Sequence, residues 1–229
     1  MNSVAGCART LESWVTMRVL SVNVGLPKEV IWQERTYRTG IFKEPVEGAV
    51  AVRSQNLDGD GQADISVHGG RDKAVYAYPS EHYSFWRGVF PEVHIPVGMF
   101  GENLTTIGLS EETVHIGDRY RVGSAELVTT QPRMPCSKLG MRFQDKTMIK
   151  RFLISRKSGW YYSVAKEGSV SAGDRIELID RETGTLSVRE ILEIHQSRDT
   201  DRDLLRKVVQ LRGLSESWRD HFERRLQKG

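Results

Sequence analysis

The sequence predicts a mainly β fold with helices, in the α+β class, in which a β domain of barrel or sandwich type is followed by a small C-terminal helical bundle. Three observations predict it. From Met17 to about Asp180, short runs rich in β-branched and aromatic residues are punctuated by Gly and Asp. Two of these runs follow the same turn, Gly117-Asp118 and Gly173-Asp174, as strands entering one barrel would. After Ser187 the apolar spacing changes from alternation to the three- and four-residue period of amphipathic helices.

In chain order, the alternating pattern begins only at Arg18-Val19-Leu20-Ser21-Val22, so residues 1–16 are expected to be a loose extension and Met17 a candidate natural start. Strands are then expected at Val19 to Val24, Val30 to Gln33, Thr36 to Phe42, Ala49 to Arg53, Ala74 to Tyr78, Thr113 to Ile116, Arg119 to Val122, Glu126 to Thr130, Trp160 to Ala165 and Arg175 to Ile179. Ser80 can cap a helix through Glu81, Tyr83, Phe85 and Trp86, and Gln144 to Ile154 reads as a second helix. Ser187-x-x-Glu190 is a capping box ahead of Ile191, Leu192 and Ile194. Asp201 leads into Leu204, Leu205, Val208 and Leu211, and Ser215 precedes Trp218, Phe222 and Leu226. The expected organisation is therefore an extension over 1–16, a β domain over 17–182 and three short helices over 187–228. None of those helices is long enough to be stable alone, so they must pack on one another or on the barrel.

The 229 residues are 38% hydrophobic and 28% charged, the balance of a chain that buries its own core. A net charge of +3 falls short of a dedicated nucleic-acid binder and suits an anionic small ligand equally well. Cys7 and Cys136 are too few for a disulfide framework, and a lone thiol in a folded body fits a reducing compartment. No apolar run approaches a membrane span and no secretory signal opens the chain, so the expected location is the cytoplasm.

Three stretches could carry chemistry. His68-Gly69-Gly70-Arg71-Asp72-Lys73 crowds charges around paired glycines, which permit close backbone approach to an anion; an ordinary tight turn with solvated charges has the same residues. Phe100-Gly101-Glu102-Asn103-Leu104 offers a carboxylate and an amide to a heterocycle, unless these side chains satisfy loop backbone instead. In Gln131-Pro132-Arg133-Met134-Pro135-Cys136-Ser137-Lys138, prolines stiffen the approach to a cysteine flanked by two cations. Those cations favour the thiolate, a soft ligand for a transition metal, although many lone cysteines are simply small core residues.

Other chemistries fit worse. Asp58-Gly59-Asp60-Gly61-Gln62-Ala63-Asp64 begins like a calcium loop but has Ala63 at the required glycine and Gly69 at the closing glutamate, so it reads as a turn. The six histidines show no zinc-ligand spacing, and no Walker or dinucleotide fingerprint opens a helix. Neither zinc nor calcium is expected.

Taken together, these stretches resemble the MOSC domain (molybdenum-cofactor sulfurase C-terminal domain), and within it the bacterial N-hydroxylaminopurine resistance proteins. The resemblance rests on Val67 to Tyr76, Gly98-Met99-Phe100-Gly101-Glu102-Asn103-Leu104-Thr105 with Gly108-Leu109, Val114-His115-Ile116-Gly117-Asp118, and Gln131-Pro132-Arg133 through Cys136. Their order and spacing match over roughly residues 17 to 180, and the closing helices resemble the three-helix domain of that subgroup. It implies a β-barrel-like MOSC fold and a pocket for the molybdenum cofactor, molybdopterin, with Cys136 as catalytic residue and molybdenum ligand. His68, Arg71, Lys73, Glu102, Asn103, Arg133 and Arg142 are the implied cofactor contacts. The implied activity is a molybdenum-cofactor-dependent oxidoreductase that reduces N-hydroxylated bases and related compounds in detoxification. With no flavin, haem or iron–sulfur motif in the chain, electrons would come from a separate flavin or iron–sulfur reductase.

The alternative is a sulfur-carrier or cofactor-binding protein that uses Cys136 as a persulfide. A third reading, nucleic-acid binding by the basic terminal helices, is weakened by the interleaved Asp201, Asp203, Glu216, Asp220 and Glu223. That bundle is expected instead to cap the pocket or dock the electron donor.

Overall fold

The structure, a computed structural model, describes residues 16–63, 69–197, 199 and 201–228. The expected extension over 1–16 and the candidate contact His68 thus lie outside the described residues, apart from Thr16. An eight-stranded mixed sheet has the order β12 (Ile176–Asp180), β8 (Arg119–Val122), β9 (Ala125–Pro132), β10 (Trp160–Lys166), β6 (Val75–Pro79), β7 (Leu104–Ile107), β1 (Arg18–Val24), β4 (Glu44–Pro45). Its ends meet: Val19 N–H donates to Asp174 O (2.9 Å), Gly173 N–H to Val19 O (2.8 Å) and Ile176 N–H to Met17 O (2.9 Å). The repeated Gly-Asp turn does mark barrel strands, because Gly173-Asp174 is where the sheet closes on β1. All pairings are antiparallel except β6 with β7, which run parallel and bring Tyr76 and Asn103 side by side.

Two further pairs stand apart from this sheet. One is β5 (Val50–Val52) with β11 (Gly168–Val170); the other is the hairpin β2 (Lys28–Trp32) with β3 (Arg35–Thr39). The tip of that hairpin, Gln33-Glu34, has positive φ at both residues, as its two-residue turn demands.

Six α-helices are described: α1 (His82–Val89), α2 (Ser137–Phe143), α3 (Met148–Ser155), α4 (Val188–Gln196), α5 (Arg202–Gln210) and α6 (Glu216–Lys228). None is long and apolar enough to cross a membrane. Helices α1 to α3 wrap an aromatic cluster outside the barrel, in which Tyr78 stacks on Phe100 at 4.2 Å and Trp86, Phe143 and Phe152 are buried beside them. Helices α4 to α6 bury Ile191, Leu192, Val208, Trp218 and Phe222 in a core continuous with the barrel interior. The capping box is present as expected: Ser187 Oγ accepts from Glu190 N–H (3.1 Å) and the Glu190 carboxylate accepts from Ser187 N–H (2.7 Å).

Several boundaries differ from the sequence expectation. Thr113 to Ile116 is not a strand. The Asp118 carboxylate accepts from His115 N–H (2.8 Å), the Tyr120 hydroxyl (3.0 Å) and Arg181, and this local cage bends the chain into a turn with one bridge to Ser187. Helix α1 is preceded by Glu81 rather than capped by Ser80, the helix expected over 144–154 begins only at Met148, and a helix not expected from the sequence, Ser137–Phe143, precedes it. Gln144 is the left-handed cap of α2, and Asp145 accepts from Thr147 N–H (2.6 Å) where the chain restarts.

The bundle carries a pH-dependent weakness. His195 and His221 stack at 4.7 Å, and His195 Nδ1 and His221 Nε2 are buried without a hydrogen-bond partner among the described residues. Burial, then His221 and Arg225, lower the pKa of His195 from 6.5 to about 4. A base whose pKa is depressed by folding stabilises the folded state fully above its unfolded value and loses that contribution as pH falls. Thermal unfolding by circular dichroism should therefore show the protein weakening from about pH 6.5 downward. His195→Gln should flatten part of that slope; identical profiles for variant and wild type would refute it.

Candidate active site

A cavity of about 230 Å³ opens where the end of β3, the loops at 40–43 and 58–63, the strands β6 and β7, and the segment from β9 to α2 converge. Two of those loops touch so closely that a Cβ on Gly40 would sit 2.3 Å from Gly61 O. The wall is cationic, with Arg38, Lys43, Lys73, Arg133 and Lys138 against a lone carboxylate, Asp60, among its described residues. Tyr76, Phe100 and Tyr161 supply aromatic surface, and Cys136 supplies the thiol.

Asp60 already has its charge answered. Its Oδ1 accepts from Lys43 Nζ and from Gly25 N–H (3.0 Å), and its Oδ2 accepts from Asn103 Nδ2 (2.9 Å). Burial lowers the pKa of Lys43, and Asp60 opposes that shift and supports the ammonium. The Asn103 amide is equally occupied, because Oδ1 accepts from Tyr76 N–H (3.0 Å) while Nδ2 serves Asp60. Asn103 thus lines the cavity as a strut between β6, β7 and the acidic turn.

Arg133 is different. It follows Pro132 at the end of β9, is 5% exposed, and lies over the Tyr76 ring (5.2 Å) and the Phe152 ring (5.1 Å). Its Nη1 is buried with no hydrogen-bond partner among the described residues. Burial works against the cation, yet Tyr76, Tyr161 and Cys136 outweigh it and raise the pKa of Arg133. A buried guanidinium with an idle N–H on a cavity wall is costly unless an acceptor arrives.

Cys136 is half-buried in extended conformation just ahead of α2, between Pro135 and Ser137. It is close enough to Arg133 and Tyr161 for a thiolate at this position to raise the pKa of both. Tyr161 is shifted first by burial, as is Lys73, whose pKa burial lowers.

Of the residues expected from sequence, Cys136, Arg133, Lys73 and Asn103 meet at this cavity. Glu102, Arg71 and Arg142 do not line it. Glu102 is fully buried and turned inward: its carboxylate accepts from Gly98 N–H (2.9 Å), Phe100 N–H (3.0 Å), the Thr105 hydroxyl (3.0 Å) and the Tyr83 hydroxyl. Arg71 is exposed in a 3-10 turn, Arg71–Lys73, and Arg142 lies over the Phe42 ring at 4.6 Å. Arg38, Lys43, Asp60 and Tyr161 were not singled out as site residues. Only Asp60 carried a signal, in an acidic run that reads as a turn. The terminal helices contribute no described residue to the wall, so they do not cap it.

A closed barrel with a cysteine-bearing, cation-lined cavity at the exit of β9 defines the class. The chain belongs to the MOSC domain family, with residues 64–177 matching the MOSC domain and residues 186–229 matching the YiiM-like, 3-alpha helix domain. It is similar to the YflK protein of Bacillus subtilis strain 168, at 40% identity over 204 residues, spanning 89% of this chain and 92% of that one. The crystal structure of YiiM from Geobacillus stearothermophilus superimposes with a TM-score of 0.78 at 35% identity, covering 92% of this chain and 99% of that one. A protein of Gibberella moniliformis named as a reductase is 35% identical over 176 residues, which are 76% of this chain and 31% of that longer protein.

Proposed function

We propose that this protein is a molybdenum-cofactor-dependent reductase of N-hydroxylated bases and related N-hydroxylated compounds, acting in the cytoplasm, with Cys136 as the metal ligand. The observation that carries this reading is the idle Arg133 Nη1 beside the Cys136 thiol in a cavity whose cations outnumber its carboxylate. That donor set fits an anionic cofactor with a soft metal: the guanidinium awaits an acceptor, and the thiolate suits molybdenum. The reductase name of one relative supports the redox class.

When bound, the cofactor supplies two-electron chemistry for cleaving an N–O bond, converting R–NHOH, two electrons and two protons to R–NH2 and water. Arg133, Lys138 and Arg38 would hold its anionic groups, and Lys43 is kept in place for the same task by Asp60. Tyr76 and Tyr161, with ring centroids 5.1 Å apart, offer flat apolar surface that orients a planar ligand and excludes water. Asn103 holds Tyr76 and Asp60 at their places in the wall.

Protein produced in cofactor-making cells and purified without oxygen should reduce an N-hydroxylated purine when supplied with a reduced viologen. Absence of turnover together with a cyanide-releasable sulfur on Cys136 would replace this reading with that of a sulfur carrier.

A further inference from the structure

The two helices that follow Cys136 hold more positive charge than the whole chain. Residues 136–157 contain seven cations (Lys138, Arg142, Lys146, Lys150, Arg151, Arg156, Lys157) and one carboxylate, Asp145, for a net +6 against +3 overall. The remaining sequence is therefore net −3. Arg156 is paired with Glu193 (2.7 Å), Arg142 lies on Phe42, and Lys157 lies over Phe85. Lys146, Lys150 and Arg151 are exposed, and no carboxylate among the described residues lies within ion-pair distance of them. Beside them Ile154 is 70% exposed.

This face is built on the far side of the active-site wall. The inner side of α3 buries Met148 and Phe152, and the Phe152 ring carries Arg133 at 5.1 Å. Helix α3 thus carries the outer cations on one side and, on the other, the ring against which the guanidinium near Cys136 packs. Several basic residues of the terminal helices are committed elsewhere, while Lys207 is exposed there. Arg219 donates to Leu211 O (2.7 Å) and Leu214 O (3.2 Å), Arg225 to Ile194 O (2.6 Å) and Ser197 O (2.8 Å), and Arg206 pairs with Asp203.

We propose that the outer face of α2 and α3, centred on Lys146, Lys150, Arg151 and Ile154, is the docking surface for an acidic electron-carrier protein that delivers electrons to the site at Cys136. The proposal rests on the reductase reading above. Arg151 donates to Thr147 Oγ1 (3.0 Å) and lies over the Phe90 ring (5.6 Å), but like Lys146 and Lys150 it has no carboxylate within ion-pair distance among the described residues. An exposed cationic rim of this kind around an apolar residue is complementary to a carboxylate-rich partner and speeds its encounter. Each turnover breaks one N–O bond, takes two protons from solvent to form amine and water, and oxidises two reduced one-electron carriers or one two-electron flavin carrier. The docking site expected on the terminal helices thus moves to the helices adjoining the cysteine.

The test uses a plant-type [2Fe–2S] ferredoxin, an acidic one-electron carrier, with wild-type holoprotein and the triple variant K146E/K150E/R151E. Calorimetric titration at low salt should show binding that the variant weakens about tenfold or more and that added salt weakens in the wild type. Turnover driven by reduced ferredoxin should fall in parallel, while viologen-driven turnover stays within about twofold, because none of the three side chains lines the cavity. Ferredoxin that fails to bind the wild type, or binds the variant equally well, overturns the proposal. So does wild-type protein that binds duplex DNA or phosphatidylglycerol vesicles more tightly than ferredoxin. Ferredoxin binding that depends on the three residues, without viologen-driven turnover of N-hydroxylated substrate, would keep the surface and reject the reductase reading.

Discussion

Arg133→Met is expected to leave the protein folded and at least as heat-stable as wild type, yet to lower its cofactor content about tenfold to a hundredfold. The side chain is 5% exposed, has no carboxylate partner among the described residues and leaves Nη1 unused. Replacing a buried charge that has no carboxylate partner by an apolar chain of similar length relieves desolvation and keeps the packing on Tyr76 and Phe152. Ligand affinity moves the other way, since a hydrogen bond to a charged group contributes about 1.5–3 kcal/mol. Arg133→Lys should not restore binding, because an ammonium lacks the planar fork that stacks and donates at once. Calorimetry and elemental analysis on the same preparation check both halves. A variant with lower thermal stability and unchanged molybdenum would make Arg133 structural.

Glu102 is the opposite case, and its removal should have the largest effect on stability. One oxygen accepts from Gly98 N–H, the Tyr83 hydroxyl and the Thr105 hydroxyl, and the other accepts from Phe100 N–H. Burial raises its pKa although those donors pull it down. Glu102→Gln can keep the first oxygen but sets its amide N–H against Phe100 N–H, for a loss of about 1–3 kcal/mol. Glu102→Ala strands all four donors and should lose about 3–5 kcal/mol, enough to unfold a marginal domain. Urea unfolding measures both, and losses below about 0.5 kcal/mol, the size of an ordinary surface change, would contradict this role.

Hydrophobic alternation and turn residues placed most of the barrel strands, and the Ser187 capping box placed the start of the bundle. Local signals of this kind depend only on neighbours along the chain. Thr113 to Ile116 misled for the same reason: its β-branched residues favour a strand, but Asp118, Tyr120 and Arg181 together impose a turn that only tertiary contact makes visible. The short strands β4, β7 and β11 were missed because pairing with distant partners, not length or pattern, makes them strands.

At the site, Cys136 and Arg133 were legible because stiffening prolines and flanking cations sit beside them in sequence. Glu102 and Asn103 have the right chemistry for a ligand, but their hydrogen bonds run into the fold, which residue type cannot reveal. Lys43 and Asp60 are 17 residues apart, and each looks like an ordinary surface charge until the loops carrying them close on each other at Gly40 and Gly61.

The central claim is that Cys136 holds molybdenum. Elemental mass spectrometry on wild type and Cys136→Ser, both made in cofactor-producing cells and purified without oxygen, tests it most directly. The account predicts near-stoichiometric molybdenum in the wild type and its loss from a variant that still folds, since serine is a poor ligand for a soft metal. Equal molybdenum in both proteins, or none in either with persulfide sulfur on Cys136, would contradict it.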